Sequence, residues 1–196
     1  MLRAFLIVLV FAVGAGCAPD LRTTDCFDGI CGELPTEPLF SFTRAEGGLV
    51  TALVDATSKT LPTYIDLDEP KELKFDEAET TNAWELSFMR DKIRTNGGGT
   101  NPMGKVEVAV LRTDFDALTK APASGYQQDG AEGVFNTVEG GWYYYDIGVH
   151  RLTTLDHVYV VKTGQGAYFK VRLGSYYDEN GTSARISLRF ARLDPP

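Results

Sequence analysis

The sequence contains few of the side chains that carry most enzyme chemistry. Its 196 residues include two histidines, three cysteines and three methionines. It has no Gly-x-Ser-x-Gly and no His-Glu-x-x-His segment, and no cysteine lies near a histidine along the chain. Neither an activated nucleophile nor a metalloprotease site is therefore indicated, and we expect a protein that is not an enzyme.

Positive charge is also scarce. Lys and Arg number 19 against 27 Asp and Glu, which gives a formal net charge of −8 at pH 7. Nucleic acids and anionic lipid surfaces attract basic proteins, so this balance argues against both as electrostatic partners. Acidic residues cluster at 66–70 and 76–79, where we expect solvated turns; a weak Ca²⁺ site is the alternative.

Helical periodicity is missing, and the dominant period of the apolar residues is two. In residues 105–111, for example, Val106, Val108 and Val110 share one face of a predicted strand. The last 55 residues predict an antiparallel meander. We therefore predict an all-β fold with a single, predominantly antiparallel β domain in residues 39–196. The predicted strands are 48–56, 62–68, 83–88, 105–111, 142–147, 157–163, 167–173 and 184–192.

A long uncharged apolar run occurs only at the start of the chain. Residues 1–16 combine Arg3, an apolar run and small residues, the pattern of a signal peptide too short to span a bilayer. The small residues before Cys17 resemble a bacterial lipobox, so we expect lipidation of Cys17 and a membrane anchor. Ala18 after the cysteine favours the outer membrane or cell surface. The alternative is ordinary secretory cleavage nearby, with Cys17 left as a free thiol.

The other two cysteines lie close together. In an exported protein Cys26 and Cys31 are expected to form a disulfide that closes a short local loop. A metal site is not indicated here, because no histidine lies near this pair. Residues 17–38 are polar and contain three prolines, so we interpret them as a lipidated cysteine followed by a semi-extended tether.

Residues 84–102, WELSFMRDKIRTNGGGTNP, join an alternating strand to a glycine-rich segment. We expect Trp84, Leu86 and Phe88 to share the inward face of a strand that projects Arg90, Arg94 and the loop. Glycines 97–99 permit close approach of the backbone to a ligand or to another strand. The alternative is a long hairpin connection without a ligand.

This segment resembles the signature of the HmuY family of haem-binding lipoproteins, a Trp-acid-Leu/Ile-x-Phe-x-Arg strand followed by Ile/Val-Arg-Thr-Asn-x-Gly. The family's early strands, its late Tyr-Val-Val-x-Thr block and its last strand are similar to residues 49–73, 141–177 and 185–193. The resemblance implies an all-β fold and capture of haem at the cell surface. It also implies an iron held between two axial His or Met side chains from loops.

The expected mature chain offers His150, His157, Met89 and Met103 as such ligands. If residues 149 and 158 lie in adjoining strands, His150 and His157 are close neighbours, whereas two imidazoles on one iron need Cβ atoms about 10 Å or more apart. Met89 is opposite in phase to Phe88, and His157 is expected to be solvent-facing or capped. Our interpretation is therefore that His150 and Met103 are the axial ligands. The alternative for His150 is a structural bond to the loop backbone.

The remaining haem contacts follow from the same resemblance. Arg90 or Arg94 would pair with the propionates through charge-assisted hydrogen bonds. Apolar cover would come from Tyr126, Met89 and the tyrosine run 143–145. The alternative is that the arginines are strand-end surface charges and the tyrosines are core.

Three hypotheses about function remain. The first is a haem-binding surface lipoprotein that passes haem to an outer-membrane haem receptor. The second is a protein of the same fold that does not bind haem and binds a protein, a peptide or another small ligand. The third is a structural envelope or adhesion lipoprotein.

Overall fold

The computed structural model describes residues 24–27, 30–33, 38–137 and 141–196. The predicted signal peptide and the predicted lipidation site at Cys17 lie outside the described residues, and both stay predictions. The chain divides into two compact units, Met1–Leu34 and Pro35–Pro196.

The first unit contains one β hairpin, formed by β1 (Thr24–Phe27) and β2 (Ile30–Glu33). Its register places Cys26 directly opposite Cys31. Directly opposed residues of an antiparallel pair have Cα atoms about 4.5–5.5 Å apart, inside the range that a disulfide requires. This backbone register suits the predicted disulfide. The semi-extended interpretation of residues 17–38 did not include a hairpin.

The second unit contains twelve strands among its described residues. Six of them form one antiparallel sheet in the order β3-β4-β14-β13-β12-β9. Four form a second antiparallel sheet in the order β6-β5-β7-β8, and β10 and β11 pair as a separate hairpin. The bounds are β3 Phe40–Arg44, β4 Val50–Asp55, β5 Thr63–Asp66, β6 Lys71–Leu73, β7 Leu86–Met89, β8 Lys92–Thr95, β9 Glu107–Leu111, β10 Tyr143–Asp146, β11 Arg151–Thr154, β12 Val158–Lys162, β13 Tyr168–Leu173 and β14 Arg185–Arg192.

The two sheets share the main hydrophobic core. Along β14 the buried residues alternate with partly exposed ones, as expected for a strand with one face in the core. Ile186 of β14 and Leu86 and Phe88 of β7 have no exposed surface and belong to one cluster. The sheets therefore pack face to face, with their apolar faces turned towards each other.

A short helix, α1 (Phe75–Thr80), covers part of the other face of the four-stranded sheet. Its buried Ala78 packs in a second cluster with Tyr64, Leu73 and Trp84. A third cluster covers the outer face of the six-stranded sheet and includes Val160 and Leu193.

The all-β prediction is confirmed, and an observed strand overlaps each of the eight predicted ones. The predicted meander is confirmed for β12, β13 and β14, whereas β10 and β11 leave it as a hairpin of their own. Strands β3, β6, β8 and β11 and helix α1 were not predicted.

The predicted orientation of Trp84 is wrong. Leu86 and Phe88 face the main core, but Trp84 packs on the opposite side of the sheet, 4.8 Å from the ring of Tyr64. The regular register of β7 stops at Leu86, which pairs with Ile65 of β5. The amide of the preceding residue, Glu85, donates a hydrogen bond to the carbonyl of the same Ile65. This break in register reverses the side on which the preceding tryptophan lies.

Candidate functional site

The β10–β11 hairpin is anchored to the domain at its base. Tyr143 is partly buried, and its hydroxyl donates a 2.7 Å hydrogen bond to the Asp91 carboxylate. The neighbouring Trp142 is fully buried and donates its indole N–H to the Asp91 carbonyl. Burial raises the pKa of Tyr143 above its ordinary value, and the bond to Asp91 acts in the same direction. The base of the hairpin is therefore structural.

The outer part of the same hairpin is open to solvent. Tyr144, Ile147 and Val149 are 62%, 76% and 69% exposed. We call these three residues the hairpin patch. Isolated apolar residues at a surface are ordinary, but a group of them in one short segment is typical of an interaction site.

His150 lies beside the hairpin patch, exposed, in the turn between β10 and β11. Its φ of +51° is in the left-handed region, which residues other than glycine seldom adopt. Its Nδ1 forms a 2.9 Å hydrogen bond with the hydroxyl of Tyr145. When Nδ1 carries the proton and donates it to Tyr145, Nε2 is left as the ring nitrogen for a metal. A metal-binding histidine ordinarily has its other nitrogen hydrogen-bonded, because this fixes the ring.

Met103 and His150 lie in different loops of the domain. Met103 is 78% exposed and lies in the loop that follows the end of β8 at Thr95. The hairpin, in contrast, is anchored at Asp91, immediately before the start of β8. The loop that contains Met103 thus follows one end of β8, whereas the base of the hairpin that contains His150 bonds to the residue before the other end.

His157 has a structural position. It is 7% exposed, its Nδ1 lies 3.1 Å from the Gly141 carbonyl oxygen, and its ring contacts Tyr159 edge-on. The solvent-facing alternative is wrong. The condition under which His150 and His157 would be close neighbours is not met, because residue 149 lies in the turn of the β10–β11 hairpin and not in a strand beside β12.

The two arginines take separate positions. Arg90 lies in the turn between β7 and β8, where its guanidinium donates to the Thr57 carbonyl and to the Ser183 hydroxyl. Arg94 lies on β8 and donates to the Ala131 carbonyl at 2.8 Å. Both side chains therefore make contacts within the protein, and Arg90 is the nearer in sequence to the Asp91 anchor of the hairpin.

The residues predicted to give apolar cover are not gathered at one place. Tyr144 and Tyr145 lie on the exposed hairpin, whereas Tyr126 packs against Tyr168 outside the six-stranded sheet. Burial raises the pKa of Tyr126 to about 12. Met89 lies on the outer face of the four-stranded sheet, opposite in phase to Phe88 as predicted.

The glycine-rich segment packs against another part of the chain. A Cβ on Gly98 would lie 2.3 Å from the Asp129 carbonyl oxygen, and one on Gly104 would lie 2.1 Å from the Asn96 carbonyl oxygen. The buried Asp129 carboxylate accepts hydrogen bonds from the Thr95 and Val134 amides and from the Thr100 hydroxyl. The glycines thus permit contact between backbones. Sequence reasoning missed Asp129, whose only signal was an Asp-Gly pair in the irregular segment 121–130.

Three carboxylates lie close enough together to hold a metal ion. One oxygen each of Asp66, Asp68 and Glu85 lies within 4.8 Å of the others. Glu85 is 1% exposed and accepts a hydrogen bond from the Leu67 amide. Its burial raises its pKa to about 8, and burial also raises the pKa of Asp66. The solvated-turn prediction for residues 66–70 is therefore wrong for Asp66, which is 6% exposed.

The chain matches one protein family over most of its length. The family model described as HmuY protein matches residues 58–150 and 135–190, more than half of the chain. The chain belongs to the HmuY family. No curated protein matches the sequence.

Solved structures have the HmuY-like fold as well. A protein from Bacteroides vulgatus described as HmuY-like and haem-binding matches with a TM-score of 0.57 and 21% identity, covering 79% of this chain and 97% of its own. The apo HmuY analog from Tannerella forsythia has a TM-score of 0.57 and 17% identity, with 79% and 96% covered. A protein from Bacteroides fragilis described as a lipoprotein has a TM-score of 0.55 and 19% identity, with 76% and 94% covered.

No helix in the described part of this HmuY-family chain is both long and apolar enough to cross a membrane.

Proposed function

We propose that this HmuY-family chain is a lipid-anchored cell-surface protein that captures haem and passes it to an outer-membrane haem receptor. The observation that carries the proposal is His150, an exposed histidine with Nδ1 bonded to Tyr145, beside the hairpin patch. The resemblance to haem-binding proteins supports the ligand class. Cys17 is the proposed site of the acyl chains.

The exposed hairpin suits the chemistry of haem. A porphyrin has two broad apolar faces, and the hairpin patch offers apolar side chains next to a ligating nitrogen. Haem supplies the iron, and the chain supplies an imidazole whose orientation is fixed by a hydrogen bond. Arg90 and Arg94 are the proposed partners of the propionates. Arg90 is the better placed, since it precedes the residue that anchors the hairpin.

Met103 is the proposed second axial ligand. Its thioether is exposed and is a known kind of haem ligand. Because it lies at the other end of β8 from the hairpin anchor, its role needs a test separate from that of His150.

A titration of the purified protein with haemin tests the proposal. We expect a sharp Soret band that saturates with bound haemin, its loss in His150→Ala, and its retention in His157→Asn, where the amide replaces the structural nitrogen. Met103→Ala should weaken the band if Met103 binds the iron. A wild-type protein without the band would contradict the proposal and favour a binding protein for another ligand. A His150→Ala variant that keeps the band would contradict His150 as the iron ligand.

Removal of the Tyr145 hydroxyl tests the geometry. Tyr145→Phe keeps the ring but leaves Nδ1 of His150 without its partner. Loss of such a partner ordinarily costs about 10- to 100-fold in metal affinity, so we expect weaker haemin binding by about tenfold. Unchanged affinity would show that the hydrogen bond does not orient the ligand.

A further inference from the structure

The outer face of the four-stranded sheet forms the floor of a cleft of about 430 Å³. Ser87 and Met89 of β7 lie on this floor. Helix α1 contributes one wall through Glu79, and residues 100–102 of the glycine-rich loop contribute the other. The volume lies within the range of small-molecule sites, about 300–1,000 Å³.

Two basic side chains line this cleft from β8. The register pairs Lys92 with Met89 and Arg94 with Ser87, so both cations lie on the outer face. In residues 38–137 and 141–196, neither has a carboxylate oxygen within the 4.0 Å of an ion pair. The chain as a whole has a net charge of −8. The cleft therefore carries two positive charges without a carboxylate at ion-pair distance among the described residues, on a protein whose net charge is negative.

The walls of the cleft are held in place by hydrogen bonds. On one side, the Thr100 hydroxyl donates to the buried Asp129 carboxylate, and the Asn101 amide donates to Asn96 Oδ1 at 2.7 Å. On the other side, the Tyr64 hydroxyl donates to Glu79 Oε1 at 2.7 Å. The bond from Arg94 to the Ala131 carbonyl also restrains its guanidinium. A site with such fixed groups loses little entropy when a ligand binds.

We propose that this cleft binds a small organic anion, a carboxylate, sulfonate or phosphate group carried on an apolar body. Lys92 and Arg94 would pair with the charged group, and a guanidinium suits a flat or tetrahedral oxyanion through its parallel N–H donors. Met89, Pro62 and Pro102 would contact the apolar body. The Glu79 carboxylate, which already accepts the Tyr64 hydroxyl, disfavours a second anionic group at that end.

The cleft shares Arg94 with the proposed propionate contacts, but it does not include the proposed iron ligand. The residues that line the cleft include neither His150 nor any residue of the hairpin patch. The inference therefore does not rest on the proposed function, and either one can fail alone.

Two fluorescent probes test the proposal on the full protein. 1-Anilinonaphthalene-8-sulfonate has an anionic group on an aromatic body, and N-phenyl-1-naphthylamine has the same body without the sulfonate. We expect Lys92→Gln/Arg94→Gln to weaken binding of the sulfonate roughly tenfold and to leave the uncharged probe unchanged. The matched control Arg112→Gln/Lys120→Gln removes two exposed cations outside the cleft and should leave both affinities unchanged.

Two single variants separate the cleft from the haem site and from a loss of folding. Lys92→Gln alone leaves the contacts of Arg94 intact, and it should weaken sulfonate binding to a smaller extent even if the double variant is unstable. His150→Ala should abolish the Soret band and keep the sulfonate affinity. The proposal is overturned if the double variant binds the sulfonate as the wild type does, if both probes weaken equally, or if His150→Ala removes the sulfonate site.

Discussion

Two hairpins of this chain have strands of the same length but opposite surroundings. The β7–β8 hairpin and the loop after it are packed, with Phe88 and Ile93 fully buried and Asn96 only 1% exposed. The β10–β11 hairpin exposes most of its turn, including Ile147 and Val149. The first hairpin carries the residues that resemble the family signature, and the second carries the proposed ligand.

This difference shows what the signature residues do. Asn96 donates to the Trp84 carbonyl, and Asp91 accepts from Trp142 and Tyr143. Both side chains are engaged in hydrogen bonds within the protein, as is usual for polar groups in a packed region. Asn96 and Asp91 therefore support the architecture around the proposed site, whereas His150 keeps a ring nitrogen available at the surface.

The largest expected effect concerns Gly98 in the packed region. Gly98→Ala would place a Cβ 2.3 Å from the Asp129 carbonyl oxygen at a φ of +57°. The left-handed conformation costs about 1–2 kcal/mol for an L-residue, and the overlap adds about 1–3 kcal/mol. Urea denaturation should therefore show a loss of about 2–5 kcal/mol in the free energy of unfolding.

Gly125→Ala is the matched control for this substitution. Gly125 also has a positive φ, +92°, but no atom lies within 4 Å of its added Cβ. It should lose about 1–2 kcal/mol from conformation alone. Equal losses at Gly98 and Gly125 would show that the close approach to Asp129 is not what requires glycine.

An intermediate effect is expected from Glu85, which is buried in the same packed sheet. Burial, reinforced by Asp66 and Asp68, raises its pKa from 4.5 to about 8. Between these values the unfolded chain has ionised Glu85 while the folded protein keeps it protonated. The stabilisation present below about pH 4.5 is therefore lost as the pH rises towards 8, with a slope of at most about 1.4 kcal/mol per pH unit.

Glu85→Gln should remove this contribution, since an amide does not ionise. Denaturation of both proteins from pH 4 to 9, in a metal chelator so that no cation holds the carboxylates ionised, measures the difference. The variant should gain stability relative to the wild type as the pH rises through this range. Parallel curves for the two proteins would contradict the burial of an ionisable Glu85.

The sequence predicted seven strands of the two sheets because one face of each is buried against the other sheet. In β14, Ile186, Leu188 and Phe190 alternate with partly exposed residues, and that alternation is visible in the sequence. The sequence did not predict the side of the sheet on which Trp84 lies, because the break in register at Glu85 depends on contacts with β5 and the residue after it. It also missed β8, whose charged residues lie on the outer face and whose partner is β7.

The site was less predictable because it depends on contacts between distant segments. Asp129 bonds to Thr95 and Thr100, about thirty residues earlier in the chain. Likewise, the tyrosine run 143–145 resembles a core strand, but its first member is partly buried and bonds to Asp91, whereas Tyr144 is exposed. Residue types alone gave His150 as a candidate, and the structure added its exposure and its bond to Tyr145.

The smallest expected effect on stability is at His150 in the exposed hairpin, where a change to glycine should be more favourable than a change to alanine. Its φ of +51° is unfavourable for histidine and costs glycine nothing. His150→Gly should therefore be more stable than His150→Ala by about 0.5–1 kcal/mol in urea denaturation, although both should lose the Soret band. A surface substitution without such strain changes stability by less than about 0.5 kcal/mol. If His150→Gly were the less stable of the two, the turn at His150 would not be strained. The β10–β11 hairpin would then not lose stability by placing a histidine in this turn, and its contrast with the packed β7–β8 hairpin would not hold at His150.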